Sequence, residues 1–239
     1  MRVLSFSEKG CIRKNNEDSF LVLPGEGLYA VADGMGGHRA GEVASSTALH
    51  VLEKEVLKLV GLEDQALEEG LSKAFSQANQ VIYESSTSDP ENAGMGTTLT
   101  VLLVRSTAVA IAHVGDSRAY LWRDEMLTSL TMDHSLVGEL VRLGEISLEE
   151  AEKHPQRHVL MRAVGADPEV EVDCRSIRLQ TGDVFLLCTD GFSNMISNQE
   201  LAQEFLEPDS WEVRFERLRQ LTLERGAPDN FTALCCILD

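Results

Sequence analysis

Three aspartates set the chemistry of this chain: Asp33 in Val31-Ala32-Asp33-Gly34-Met35-Gly36-Gly37-His38, Asp190 in Leu186-Leu187-Cys188-Thr189-Asp190-Gly191, and Asp229 in Ala227-Pro228-Asp229-Asn230. Each stands beside a residue that lets the backbone turn sharply, and the first two close apolar runs that read as buried strands. A carboxylate there loses hydration, which is costly unless a cation or hydrogen bonds replace the water. Hard divalent ions such as Mg²⁺ and Mn²⁺ take oxygen ligands. The pattern therefore points to a carboxylate metal site and, through it, to hydrolysis. A single Asp before Gly or Asn is also a common turn signal; the ordered set carries the argument.

Further polar segments join the three: Arg13-Lys14-Asn15-Asn16-Glu17-Asp18 before a strand, Gly94-Met95-Gly96-Thr97-Thr98 opening one, and His113-Val114-Gly115-Asp116-Ser117-Arg118-Ala119-Tyr120 between two. Gly115-Asp116 also reads as a tight hairpin connection. Thr97 and Thr98 are expected to be β-formers and hydrogen-bonding partners near the site. His38 and His113 have no evident proton-transfer partner and read as structural, His134 as a solvated loop histidine. The methionines read as core filler.

Positioning these groups requires elements that the apolar pattern supplies. Strands are expected at Val3 to Phe6, Ser19 to Leu23 and Leu28 to Ala32. Two helices follow, carried by Ala40, Val43, Ala44, Thr47, Ala48, Val51, Leu52 and Leu59, then by Leu67, Leu71, Ala74, Phe75, Ala78 and Ile82. Glu84 to Asn92 reads as a loop. Thr98 to Val104, Ala108 to Val114, Ser117 to Trp122 and Met126 to Leu130 read as an antiparallel meander. Asp133 to Arg157 is polar, with weak helical patches at Leu136 to Leu143 and Leu148 to Glu152, and reads as a surface insertion. The phase of Val170, Val172 and Cys174 slips before Ile177 and Leu179, which predicts a bulge near Arg175. A strand at Val184 to Cys188, helices at Gln199 to Phe205 and Trp211 to Glu224, and a strand at Phe231 to Leu238 complete the chain. Segregated runs of strands and helices indicate an α+β fold of two facing antiparallel sheets with helices outside.

Composition narrows the function. A net charge of −18 argues against a general nucleic-acid surface, because phosphate backbones need clustered Lys and Arg. Any phosphate site must then be locally positive. No apolar run reaches the length of a membrane span, and the first residues lack the apolar core of a signal peptide. The 5 cysteines show no CxxC spacing, and Cys188 sits in an apolar run as a reduced core thiol. A cytoplasmic location is expected.

In order and spacing, the motifs from Arg13 to Asn230 resemble those of the metal-dependent, PP2C-like (PPM) serine/threonine protein phosphatases, bacterial type. The resemblance implies a four-layer α-β-β-α sandwich over residues 1–239, with a flap-like insertion at about 133–157. It implies a dinuclear Mn²⁺ or Mg²⁺ centre that activates water for hydrolysis of phosphoserine and phosphothreonine. Asp33 would bridge both ions, Asp190 and Asp229 would hold one, and the Gly34 carbonyl with Asp18 would serve the other. Asp116, with Asp190, matches the place of a third, weaker ion, and Arg13 would grip the substrate phosphate. The expected partners are phosphorylated proteins and a cognate Ser/Thr kinase, with a monomeric chain. Met35 stands where eukaryotic relatives carry a histidine proposed as general acid, so the group that protonates the leaving oxygen is left open. A binding module that had lost catalysis should lack a metal carboxylate or the arginine, and here all are present. A small phosphoester as substrate is the other alternative, favoured by a closed pocket.

Overall fold

The computed structural model describes residues 1–37, 40–59 and 66–238. His38 lies outside them. Strands β1 (Arg2–Glu8), β11 (Phe231–Ile237), β10 (Val184–Cys188), β7 (Arg118–Arg123) and β8 (Met126–Ser129) form one antiparallel sheet in that spatial order. The other holds β2 (Asp18–Leu23), β3 (Leu28–Met35), β5 (Leu99–Val104), β6 (Ala108–Val114) and β9 (Asp173–Arg178), and the short β4 (Gly96–Thr97) pairs with the end of β3.

Most central strands are apolar on both faces, because each sheet is covered twice. On β3, Tyr29 and Val31 point at the opposing sheet and pack with Leu102, Ile111, Leu121, Phe185, Leu187 and Leu234. Ala30 and Ala32 point the other way, where their small side chains admit helices α1 (Ala40–Leu57) and α2 (Leu67–Ser88) through Ala44, Ala48, Leu52, Leu71, Phe75 and Ile82. The second sheet is covered by α6 (Asn198–Leu206) and α7 (Trp211–Glu224), whose Leu201, Phe205, Phe215 and Leu218 meet Tyr120, Leu186, Ala233 and Cys235. Each fully buried large apolar side chain stabilises the fold by about 1.5–3 kcal/mol. The expected α-β-β-α layering is the observed one.

Four local expectations are corrected. The stretch Thr98 to Leu130 is not one meander: β5–β6 is a hairpin of one sheet and β7–β8 a hairpin of the other, so Gly115-Asp116 crosses between sheets instead of closing a hairpin. There is no bulge at Arg175. Six consecutive residues of β9 pair with β6 in regular register, from His113 opposite Asp173 to Ala108 opposite Arg178. Cys174 packs toward the helices and Ile177 toward the other sheet, so the change of phase marks a strand with two apolar faces. Helix α2 runs on to Ser88, through residues read as loop; there Ser86, Thr87 and Ser88 return their hydroxyls to carbonyls three or four residues back, which keeps these polar side chains compatible with the helix. The methionines divide: Met95 is core, whereas Met126, Met132 and Met161 are exposed. The segment between β8 and β9 carries two short helices, α3 (Leu136–Arg142) and α4 (Leu148–Glu152), where weak helical patches were expected.

Candidate metal centre

The acidic motifs meet at one edge of the sandwich. Asp18 on β2 and Asp33 on β3 are direct antiparallel partners. At Asp33, β3 leaves β5 and turns to pair with β4, and the backbone there is clamped from the facing strand. Thr98 Oγ1 accepts from the Asp33 N–H at 2.9 Å, Thr97 Oγ1 donates to the Asp33 carbonyl at 2.8 Å, and Thr98 and Ser117 share a hydroxyl contact of 2.7 Å. Ser117 thereby ties the Asp116 crossover to the Asp33 turn. Asp190 opens a four-residue helix, α5 (Asp190–Ser193), directly after β10, an element that apolar patterning did not foretell. Asn194 Nδ2 donates to its Oδ2 at 3.1 Å.

Close backbone approach explains two of the glycines. A Cβ on Gly34 would stand 2.0 Å from the Gly41 carbonyl oxygen, and one on Gly191 would stand 1.9 Å from that of Asn230. The first contact seats the N-terminus of α1 on the Asp33 turn. The second holds Asp190 beside Asp229.

Asp33, Asp116, Asp190 and Asp229 line an open cleft of about 1280 Å³, with Gly34, Arg13 and Glu17. Asp18 lies behind this lining, 7% exposed. Its Oδ2 accepts from Thr189 Oγ1 at 2.8 Å and Thr232 Oγ1 at 2.7 Å, while its Oδ1 has no partner among the described residues. Burial is the largest influence on the carboxyls of Asp18, Asp33, Asp116 and Asp190, ahead of repulsion from neighbouring carboxylates. It pushes Asp18 up to about 7, Asp116 up to about 8 and Asp33 well above the carboxylate range, and it raises Asp190 as well. A buried group of carboxylates that oppose one another's ionisation is what a bound cation offsets.

The donor set fits divalent cations. All the groups are hard oxygens, one is a buried orphan, and the mutual repulsion is what a cation would relieve. Among the described residues no three His, Cys, Asp or Glu side chains close on a single point.

The structure places the other expected residues as follows. Arg13 stands on the exposed rim and donates to Asp229 Oδ2 at 2.7 Å, so two groups given separate duties are each other's partners. The Gly34 carbonyl oxygen and Glu17 Oε2 both lie 2.7 Å from the point where a Cβ on Gly41 would stand, two oxygens converging at the start of α1. His113 is fully buried between Thr100 and the Met132 carbonyl, away from the cleft lining, and burial drives it down to about 4. His134 is not a solvated loop residue: its ring accepts from the Gly115 N–H at 3.1 Å and meets Asp173 at 3.2 Å.

Two residues escaped the reading of the sequence as site residues. Glu17, quoted in its motif without a role, lines the cleft, and its carboxyl is raised by burial. Asn230 holds the N-terminal segment in place: its Oδ1 accepts from the Glu17 N–H at 2.8 Å, and its Nδ2 donates to the carbonyls of Lys9 and Asn15 at 2.9 and 2.8 Å. The Asp-Asn dipeptide was a visible signal, and the turn explanation absorbed it.

The sequence profile described as "Protein phosphatase 2C" matches residues 12–225, an interval that contains every one of these carboxylates except Asp229. The chain belongs to the protein phosphatase 2C family. Among the relatives of this 2C-family chain, the serine/threonine phosphatase Stp of Listeria monocytogenes is 40% identical over 95% of this chain and 92% of its own. The serine/threonine protein phosphatase PstP of Mycobacterium tuberculosis is 40% identical over 98% of this chain and 44% of its own length. A crystal structure of the PstP catalytic domain in complex with 2 manganese ions superposes with a TM-score of 0.87 at 37% identity, covering 100% of this chain and 98% of that one. The structure of Stp1 from Staphylococcus aureus gives 0.93 at 33% identity over 99% and 94% of the two chains.

Proposed function

We propose that this chain is a metal-dependent serine/threonine protein phosphatase, a phosphoric monoester hydrolase for phosphoserine and phosphothreonine. The observation that carries the reading is the cleft itself, where Asp33, Asp116 and Asp190 form an acidic floor and Arg13 stands at the rim. Asp33 would lie between two Mn²⁺ or Mg²⁺ ions; Asp190 and Asp229 would hold one, and the Gly34 carbonyl, Asp18 and Glu17 would serve the other. Asp116 with Asp190 would take a third, weaker ion. When bound, the ions supply Lewis-acid charge and an activated water for attack on phosphorus.

The protein's own share is positioning. Thr97 and Thr98 fix the Asp33 backbone; Thr189 and Thr232 aim Asp18 by fixing one of its oxygens and leaving the other free. Arg13 presents a planar fork suited to two parallel bonds with a phosphoryl group, and exchanging Asp229 for substrate frees it. No cysteine or serine nucleophile is required: Cys188, behind Asp190, is buried and pushed up to about 12 by desolvation. The open cleft suits a phosphorylated segment of a protein better than an enclosed small molecule. The chain would act as one catalytic unit with its flap at about 133–157, as a cytoplasmic monomer that reverses a Ser/Thr kinase. No described helix is long and apolar enough to cross a membrane.

The test is phosphate release from a phosphothreonine peptide in EDTA and after addition of Mn²⁺ or Mg²⁺, for the wild type and Asp33→Asn. Release restored by metal in the wild type, and reduced by about 10²–10³-fold or more in a folded Asp33→Asn, is expected. Metal-independent release, or near-native turnover by Asp33→Asn, would overturn the assignment.

A further inference from the structure

Acids outnumber bases in this chain, 39 Asp and Glu to 21 Lys and Arg, so most arginines are matched. Beside the cleft, Arg13 is held by Asp229, Arg118 by Asp133 and Arg225 by Glu200. Lys153 and Arg157 depart from this pattern. Both line the same cleft, and among the described residues neither has an ion pair or a side-chain hydrogen bond. They belong to Lys153-His154-Pro155-Gln156-Arg157-His158, a run with no acid in it.

The run is a fixed platform. The His154, Arg157 and Val159 amides close successive turns onto Ala151, His154 and Gln156, and Leu136 N–H bonds back to the Val159 carbonyl at 2.8 Å. Leu160 then bridges to Ser135. His158, at the end of the run, also lines the cleft and lies near enough to Asp190 to act electrostatically on its carboxylate. The two unpaired cations therefore line the same cleft as the acidic floor and Arg13. The C-terminus of α4 accounts at most for Lys153, its capping residue, and leaves Arg157 unexplained.

We propose that Lys153 and Arg157 form a second anion subsite, which binds an acidic or phosphorylated side chain flanking the phosphoresidue being hydrolysed. The proposal rests on the phosphatase reading above and adds a substrate class to it. Arginine and lysine at an exposed wall attract such a group through screened charge, so the effect is moderate and salt-sensitive.

The experiment uses one phosphothreonine peptide in versions that carry alanine, glutamate or a non-hydrolysable phosphonate analogue of phosphoserine in the flanking positions. Each is assayed with the wild type, Lys153→Ala/Arg157→Ala and Lys153→Glu/Arg157→Glu at saturating Mn²⁺. The wild type should prefer an anionic flank by about three- to ten-fold in kcat/KM, mostly through KM. The preference should vanish in the double alanine variant, reverse in the double glutamate variant and shrink with added KCl. A larger gain from the phosphonate than from glutamate would assign the subsite to a phosphate, equal gains to any carboxylate. A wild type that hydrolyses all versions equally, or a double variant that keeps the preference, overturns the subsite while leaving the phosphatase reading in place. Absence of turnover on every version overturns that reading instead.

Discussion

At the residue scale, the site combines an unmet electrostatic demand with rigid local support. Asp33, Asp116 and Asp190 could be picked out because each sits beside a turn-permitting residue at the edge of an apolar run, and the fold brings them to one cleft. Asn230 could not be weighed in the same way. Its bonds reach Glu17, 213 residues away, and such a pairing leaves no local pattern. Asp18 yields a signed prediction. Its carboxyl is pushed up to about 7 by burial, so the metal-free folded state keeps a proton that the unfolded chain releases near pH 4. A group raised on folding contributes stability below its unfolded value and loses it as pH rises through its folded one. In EDTA, the Tm of Asp18→Asn relative to the wild type should therefore increase from about pH 4.5 to about pH 8, because the amide does not titrate. Added Mn²⁺ should raise the wild-type Tm at the higher pH more than that of the variant. Thermal melts that show the same difference at both pH values would remove the buried-charge account of Asp18.

At the scale of elements, strand and helix positions were largely legible, since most elements bury one or two apolar faces and announce their period. What escaped were connections. Nothing local separates a crossover between sheets from a hairpin at Gly115-Asp116; the distinction lies in the long-range pairing of β7 with β10 in the other sheet. Short α5 was also invisible, because four residues cannot display a helical period. Yet this connection sets the spacing of two acids. A methyl on Gly191 would meet a backbone carbonyl at 1.9 Å, and no rotamer relieves a clash between a Cβ and a main chain. Gly191→Ala should push α5 from the Asp229–Asn230 turn, lower stability by about 1–3 kcal/mol and remove most turnover. Gly37→Ala is the matched control: its Cβ would meet nothing within 4 Å among the described residues. Urea denaturation should place that variant within about 0.5 kcal/mol of the wild type. Equal stability and activity in the two variants would mean that the close packing of Gly191 against Asn230 does not set the geometry of the site.

At the scale of the whole molecule, the charge of −18 acts on both ligands, with opposite signs. The negative field gathers divalent cations toward a cleft already lined with carboxylates, and it repels a phosphorylated substrate. Composition had indicated that phosphate binding must be local, and the structure supplies Arg13, Lys153 and Arg157 in the lining of the cleft. Salt separates the two effects, because it screens exposed charge over about 10 Å at 0.1 M and less at higher ionic strength. Raising KCl should increase the Mn²⁺ concentration needed for half-maximal activity. At saturating Mn²⁺ it should increase kcat/KM for a phosphopeptide with uncharged flanks, because the repulsive field is removed while the close contacts of the site are retained. Initial rates over a matrix of Mn²⁺ and KCl concentrations measure both slopes in one experiment. A metal requirement indifferent to salt would mean that the buried ligands alone set metal capture. A kcat/KM that falls with salt on the uncharged peptide would mean that attraction by local cations, not repulsion by the acidic surface, governs substrate encounter.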